Sequence, residues 1–259
     1  MFDTFANTGG MPLTQMGILP LAYLAIAILS AGIIRGYSGF GFSMIAMMSV
    51  TLLLPPSEVV PIILMLEVVA SLWLLPRVWR QVDWKSLVWL SAGVLVGTPA
   101  GVYLLVNIPP RPMRAAIAVV VMLVVVLLWR GFALKQMPGR GKTVAVGALS
   151  GLLNGSATIG GPPVILFYFS SPASVAVSRA SLIAFFFGTD IVAFLMCLQQ
   201  GLVTVKTATM GASFLVPMIL GLGIGSRFFR QSKAEAFRRK VLILLLLLAL
   251  AALVRALWG

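Results

Sequence analysis

The sequence predicts an all-α polytopic membrane protein made of two inverted repeats, each a glycine-broken helical hairpin followed by three transmembrane helices. Three observations carry that prediction. The 259-residue chain is 60% hydrophobic and only 10% charged. A glycine-rich break, Gly151-Leu152-Leu153-Asn154-Gly155-Ser156-Ala157-Thr158-Ile159-Gly160-Gly161-Pro162-Pro163, interrupts an apolar run and has a counterpart 119 positions earlier, Gly32-Ile33-Ile34-Arg35-Gly36-Tyr37-Ser38-Gly39-Phe40-Gly41-Phe42. The basic residues gather in alternate loops between apolar segments.

Composition sets the class. A bilayer crossing takes ~20 apolar residues, and residues 115–129 and 241–254 carry no charge at all. Residues 1–15 hold one charge, Asp3, and lack the basic start and small-residue cleavage site of a signal peptide. The single cysteine, Cys197, excludes an internal disulfide and a cysteine-based metal site. The absence of histidine excludes a histidine proton relay, an HExxH zinc site and a histidine-based catalytic triad. No enzyme is expected, since no nucleophile–base pair or metal cluster stands out, and no cofactor or metal is implied. The formal charge of +13 reads as the positive-inside bias of a membrane protein rather than as a nucleic-acid surface.

In chain order, apolar segments fall at about 17–34, 39–54, 58–76, 84–106, 112–130, 143–154, 162–171, 174–199, 203–225 and 236–257. Each glycine break reads as a short helix, an unwound segment and a second short helix. The sixth and seventh segments are too short to cross alone and read as half-helices folded into a hairpin. The first two are longer, and a hairpin or two tilted spans are both open there. Residues 1–16 form a tail, 17–130 a first repeat, 131–142 a cytoplasmic linker and 143–259 a second repeat. Arg77, Arg80 and Lys85, then Arg130, Lys135, Arg140 and Lys142, then Arg179, then Arg227, Arg230, Lys233, Arg238, Arg239 and Lys240 account for 14 of the 19 basic residues. Placing them all on the cytoplasmic side closes the alternation of spans. Arg111, Arg114, Lys206 and Glu58 then face the opposite side, as do both termini, and the halves have opposite orientations. The halves also match beyond the breaks. Val82-Asp83-Trp84-Lys85 resembles Val203-Thr204-Val205-Lys206, and Gly97, Gly101 and Arg114 align with Gly221, Gly225 and Arg238 at one offset.

The chemistry follows from the breaks. Irregular backbone at membrane depth is tolerated only where it is buried in protein or lines a cavity. A pair of such breaks in corresponding places points to a transporter's binding site near the membrane midplane. Glycine lets a ligand approach the main chain. Pro162 and Pro163 suit the first turn of a helix. Helices starting near Phe40 and Pro162 would aim unpaired N–H groups and a positive dipole end at the centre, an anion site without a charged side chain. Ser38, Ser43, Asn154, Ser156 and Thr158 can add donors. The alternative is that the glycines serve only close helix packing. Arg35 lies inside the first break where Asn154 lies in the second. Its guanidinium suits a carboxylate, sulfite or sulfonate, clasped by two hydrogen bonds. Candidate binding residues are therefore Arg35, Gly36, Ser38, Gly39, Gly41, Asn154, Gly155, Ser156, Thr158, Gly160 and Gly161. Glu67 and Asp190 lie in counterpart apolar segments. Carboxylates there are costly and mark either a proton or ion pathway or a static ion pair with Arg35 or Arg179. The run Phe185-Phe186-Phe187 reads as packing and lipid contact.

The segments Arg35-Gly36-Tyr37-Ser38-Gly39-Phe40-Gly41 and Leu153-Asn154-Gly155-Ser156-Ala157-Thr158-Ile159-Gly160-Gly161-Pro162-Pro163, one per half, resemble the motifs of the sulfite exporter TauE/SafE family of membrane permeases. The resemblance extends from about Ile18 to Leu257. It implies a duplicated permease of a bacterial inner membrane that moves small sulfur-containing anions such as sulfite or organosulfonates, with export as the usual direction. Partners so implied are the anion and the lipid bilayer, with assembly into a homo-oligomer left open. Phe40 and Phe42 intervene in the first motif, and no proline follows until Pro55, so the two half-sites are expected to be unequal. A passive anion channel on the same scaffold is the alternative to a carrier.

Overall fold

The computed structural model describes residues 17–109, 138–169, 171 and 173–229, with scattered positions between 112 and 130 and at 247, 250 and 254. The expected tail, most of the fifth and tenth apolar segments, residues 131–137 of the linker, and Arg111, Arg114, Lys135 and Lys233 lie outside the described residues. Within them the fold is helical, and no strand occurs. Eight α-helices can be delimited among the described residues, in order: α1 Ile18–Ser38, α2 Phe42–Val50, α3 Pro56–Leu74, α4 Trp84–Asn107, α5 Arg140–Ala157, α6 Gly161–Phe169, α7 Val175–Gln199 and α8 Val205–Phe229. Two 3₁₀ turns, Leu75–Arg77 and Trp79–Gln81, join α3 to α4.

Local chemistry sets the boundaries. Pro56 opens α3 at a position where its missing N–H has no partner to lose. The Asp83 carboxylate accepts from Ser86 N–H at the start of α4, and the Ser174 hydroxyl accepts from Val177 N–H at the start of α7. α1 stops at Gly39, whose φ of 81° lets its N–H return to the Arg35 carbonyl at 2.8 Å. Gly41, at φ 89°, turns the chain into α2. α5 stops the same way at Thr158, whose N–H bonds the Asn154 carbonyl at 2.7 Å.

Among the described residues, five helices are long and apolar enough to cross a membrane: α1, α3 with its following turn, α4, α7 and α8. Their outward faces carry exposed Ile18, Leu19, Leu72, Val88, Leu95, Val96, Val205, Val216 and Leu220, as lipid-facing surfaces do. The chain is therefore a multi-pass membrane protein. α2 and α6 have nine residues each, about 13.5 Å of helix, less than half the ~30 Å hydrocarbon core. The unwound segments are narrower than the glycine pattern implies. α1 runs to Ser38 and α5 begins at Arg140, so Gly32, Gly36, Gly151 and Gly155 lie inside helices and only 39–41 and 158–160 are irregular.

The reason is backbone packing. α1 lies against α8 and α4 against α5, the two most extensive helix contacts in the fold. A Cβ on Gly221 would meet the Leu29 carbonyl, one on Gly225 the Ile33 carbonyl, and one on Gly36 the Leu222 carbonyl. In the other pair, Gly97 abuts the Ala148 carbonyl, Gly101 the Leu152 carbonyl and Gly155 the Thr98 carbonyl. These are the same contacts displaced by the sequence offsets between the halves. Small residues let helices approach this closely in lipid, where dispersion rather than water exclusion holds them together.

Candidate functional site

Between the two helix pairs, α3 and α7 are in contact and carry the buried acids. Glu67 on α3 is 2% exposed and pairs with Arg35, itself 1% exposed, at 2.7 Å. Arg35 also donates to the Ser71 hydroxyl at 2.6 Å, and its guanidinium lies 5.3 Å from the centre of the Phe186 ring. The other Glu67 oxygen accepts the Ser43 N–H at 3.1 Å. Ser43 is in the first turn of α2, whose N-cap Gly41 offers no side-chain acceptor. Glu67 thus does for α2 what an anion does at any helix start: it satisfies an unpaired N–H and sits at the positive end of the dipole.

The second break repeats this plan with weaker chemistry. Asn154 takes the place of Arg35 and donates to Asp190 Oδ1 at 2.8 Å. Pro162 takes the place of Ser43 and has no N–H to give. Asp190, 2% exposed, keeps Oδ2 without a hydrogen-bond partner among the described residues. It is close enough to interact electrostatically with both Glu67 and Arg35. Two carboxylates and one guanidinium therefore share one closed region. Of the two outcomes open to these acids, the ion pair with Arg35 is found at Glu67; Asp190 makes none among the described residues.

The remaining candidates divide into two groups. Gly39, Gly41, Thr158 and Gly160 form the irregular turns themselves. Thr158 holds a φ of 56°, a region where a β-branched residue is strained, and such strain is found at functional sites. The α5–α6 turn folds back so that the Ser150 hydroxyl donates to the Gly160 carbonyl. Ser38 and Ser156 spend their hydroxyl protons on nearby carbonyls, Ser38 on either Ile34 or Phe40, each 2.7 Å away, and Ser156 on Leu152 at 2.8 Å. Gly36 and Gly155 pack against α8 and α4, and Gly161 lies under the Phe186 ring. None of them forms the charged centre itself.

Three residues at this centre were not singled out as site residues. Ser71 lies one helical turn beyond Glu67, a spacing that could have found it. Phe186 covers Arg35 rather than facing lipid and is 5% exposed. Arg179, expected as a cytoplasmic charge or as an ion-pair partner for a buried acid, donates to the Gly36 carbonyl at 3.1 Å and lies over Gly39. It holds the C-terminal end of α1, where cations are favoured.

Sequence comparison bears on what this geometry serves. The family described as sulfite exporter TauE/SafE matches residues 24–252. A protein of Cupriavidus necator (strain ATCC 17699 / DSM 428 / KCTC 22496 / NCIMB 10442 / H16 / Stanier 337), the "Probable sulfite/organosulfonate exporter TauE", is 29% identical over 222 residues, which cover 82% of this chain and 85% of that protein. No solved structure matches.

Proposed function

Because the chain belongs to the sulfite exporter TauE/SafE family, we propose that it is a secondary transporter that exports small sulfur oxyanions, sulfite or organosulfonates, by alternating access to the Arg35 region. The observation that carries this reading is the Arg35–Glu67–Ser43 arrangement. An oxyanion, here a side-chain carboxylate, is held by one guanidinium nitrogen and a helix-start N–H inside a closed, membrane-embedded centre. A sulfonate or sulfite oxygen presents the same acceptor geometry to the same donors. Arg35, Gly39, Gly41, Asn154, Thr158 and Gly160 line the site in this reading, with Gly36, Ser38, Gly155, Ser156 and Gly161 supporting its walls. Glu67 and Asp190 are the groups through which a proton could couple.

Alternating access suits two inverted repeats, and the matched glycine contacts support that architecture. Lys206 at the start of α8 bonds Glu58 in the first turn of α3 at 2.9 Å, so these helices run side by side in the same direction. A short loop makes α8 antiparallel to α7. Counterpart helices α3 and α7 therefore run in opposite senses, as inversion requires. The burial of Arg35, Glu67, Asn154 and Asp190 favours a carrier over an open channel. We place the protein in a bacterial inner membrane, with residues 131–142 on the cytoplasmic side.

Flux from proteoliposomes loaded with labelled sulfite or methanesulfonate tests the reading. Saturable efflux that accelerates when unlabelled anion is present outside is the expected result. Flux that rises linearly with concentration and ignores external anion would mark a channel, and no flux of either anion would end the reading.

A further inference from the structure

Resting on that transport reading, we propose that Glu67 is a tethered competitor for the substrate site: its carboxylate occupies the donors that the oxyanion needs, and the arriving anion displaces it as it takes up one proton. The donors are few. Arg35 offers its fork to Glu67 at 2.7 Å and to Ser71 at 2.6 Å, and Ser43 N–H goes to Glu67 at 3.1 Å. At the corresponding positions of the second half, Asn154 and Pro162 replace Arg35 and Ser43 and offer no equivalent donors. A substrate oxyanion that seeks a guanidinium and a helix start must therefore take Glu67's place. Arg35 Nε, buried and without a hydrogen-bond partner among the described residues, gives the incoming anion one donor that Glu67 does not use.

Among the described residues, the displaced carboxylate meets no second cation placed to receive it. The groups facing it from neighbouring elements are Arg35 on α1, then holding the substrate; Ser43 on α2; and Asp190 on α7, a second acid bonded to Asn154 of α5. Arg179 of α7 is engaged at the Gly36 carbonyl. The ionisable groups of α8, Lys206 and Arg227, lie at its two ends, the first on Glu58. Those of α4, Lys85 and Tyr103, are exposed. A second anion beside the Glu67 carboxylate at one guanidinium is resolved by neutralising that carboxylate, since a buried unpaired charge is far costlier than a buried neutral acid. The proton comes from the water on whichever side the site is open, turning carboxylate into carboxylic acid, and leaves when the substrate does. A singly charged substrate then crosses with no net charge added to the site, and the empty protein closes on its own ion pair.

Calorimetric titration of the purified full-length protein in detergent tests this, with methanesulfonate as the first probe because it does not titrate near neutral pH, and sulfite as the second. In buffers of different ionisation enthalpy, the wild-type protein should take up about one proton per methanesulfonate bound, and its affinity should fall up to roughly tenfold for each unit rise in pH. E67Q should bind more tightly than wild type at neutral pH, with no proton uptake and no pH dependence. Binding by the wild-type protein without proton uptake, or weaker binding by folded E67Q, would overturn the inference and leave the transport reading standing. Should E67Q fail to fold, the wild-type proton count alone decides it. Absence of binding by either anion at every pH would overturn the transport reading and this inference with it.

Discussion

Arg35→Ala protein should lose anion binding altogether and should also be the least stable single variant at the centre. The two effects have separate causes. The substitution removes the guanidinium that clasps the substrate, a charge-assisted contact worth about 1.5–3 kcal/mol. It also leaves Glu67 as an unpaired charge in a site only 2% exposed, at a cost of about 3–5 kcal/mol. A double variant separates them. Arg35→Ala combined with Glu67→Gln strands no charge, so it should recover most of the lost stability while still failing to bind. Arg35→Lys should fold, because an ammonium can pair with Glu67, but it should bind poorly because it lacks the planar fork. Thermal melts in detergent and anion titration together read all three. Full binding by folded Arg35→Ala would assign Arg35 to the ion pair alone.

Gly97→Val and Gly225→Val should each abolish the folded protein. A Cβ at Gly97 would be driven into the Ala148 carbonyl, and one at Gly225 into the Ile33 carbonyl. Backbone cannot rotate away as a side chain can, so the helices must separate. Even ordinary overpacking costs ~1–3 kcal/mol, and parting α4 from α5 or α1 from α8 opens the largest contacts in the fold. Gly223 is the internal control. It lies on the same helix as Gly225, yet a Cβ there meets nothing within 4 Å. Gly223→Ala should therefore fold and gain up to ~1 kcal/mol of helix propensity. Yields and melting temperatures of the three variants in detergent check the prediction. A well-folded Gly97→Val would contradict the backbone packing.

The breaks were legible in the sequence because glycine and proline act locally. Gly39 and Gly41 hold positive φ, and Pro162 and Pro163 sit in the opening turn of α6, without help from distant residues. Offsets shared in sequence also recur as contacts in space, as in Gly225 on Ile33 and Gly101 on Leu152. The extent of unwinding was not legible. Gly32 and Gly36 carry the same letter as Gly39, and only the backbone of α8 shows that they are packed within a helix rather than turned out of it. The pairing of charges was also hidden. Arg35 and Glu67 are 32 positions apart with an intervening turn and helix, and nothing in their order says that Glu67 meets Arg35 while Asp190 meets Asn154. Arg179 read as a cytoplasmic charge or a partner for a buried acid, because the main-chain carbonyl it bonds leaves no trace in composition.

The central claim is that a sulfur oxyanion binds where Glu67 now meets Arg35 and the start of α2. Selenite, the selenium analogue of sulfite, allows that position to be seen directly by anomalous diffraction from crystals of the protein grown with it. The account predicts a single strong selenium peak within hydrogen-bond distance of the Arg35 guanidinium and the Ser43 N–H, with the Glu67 carboxylate moved away from both. A selenium peak elsewhere in the protein, with the Arg35–Glu67 pair intact, would contradict it.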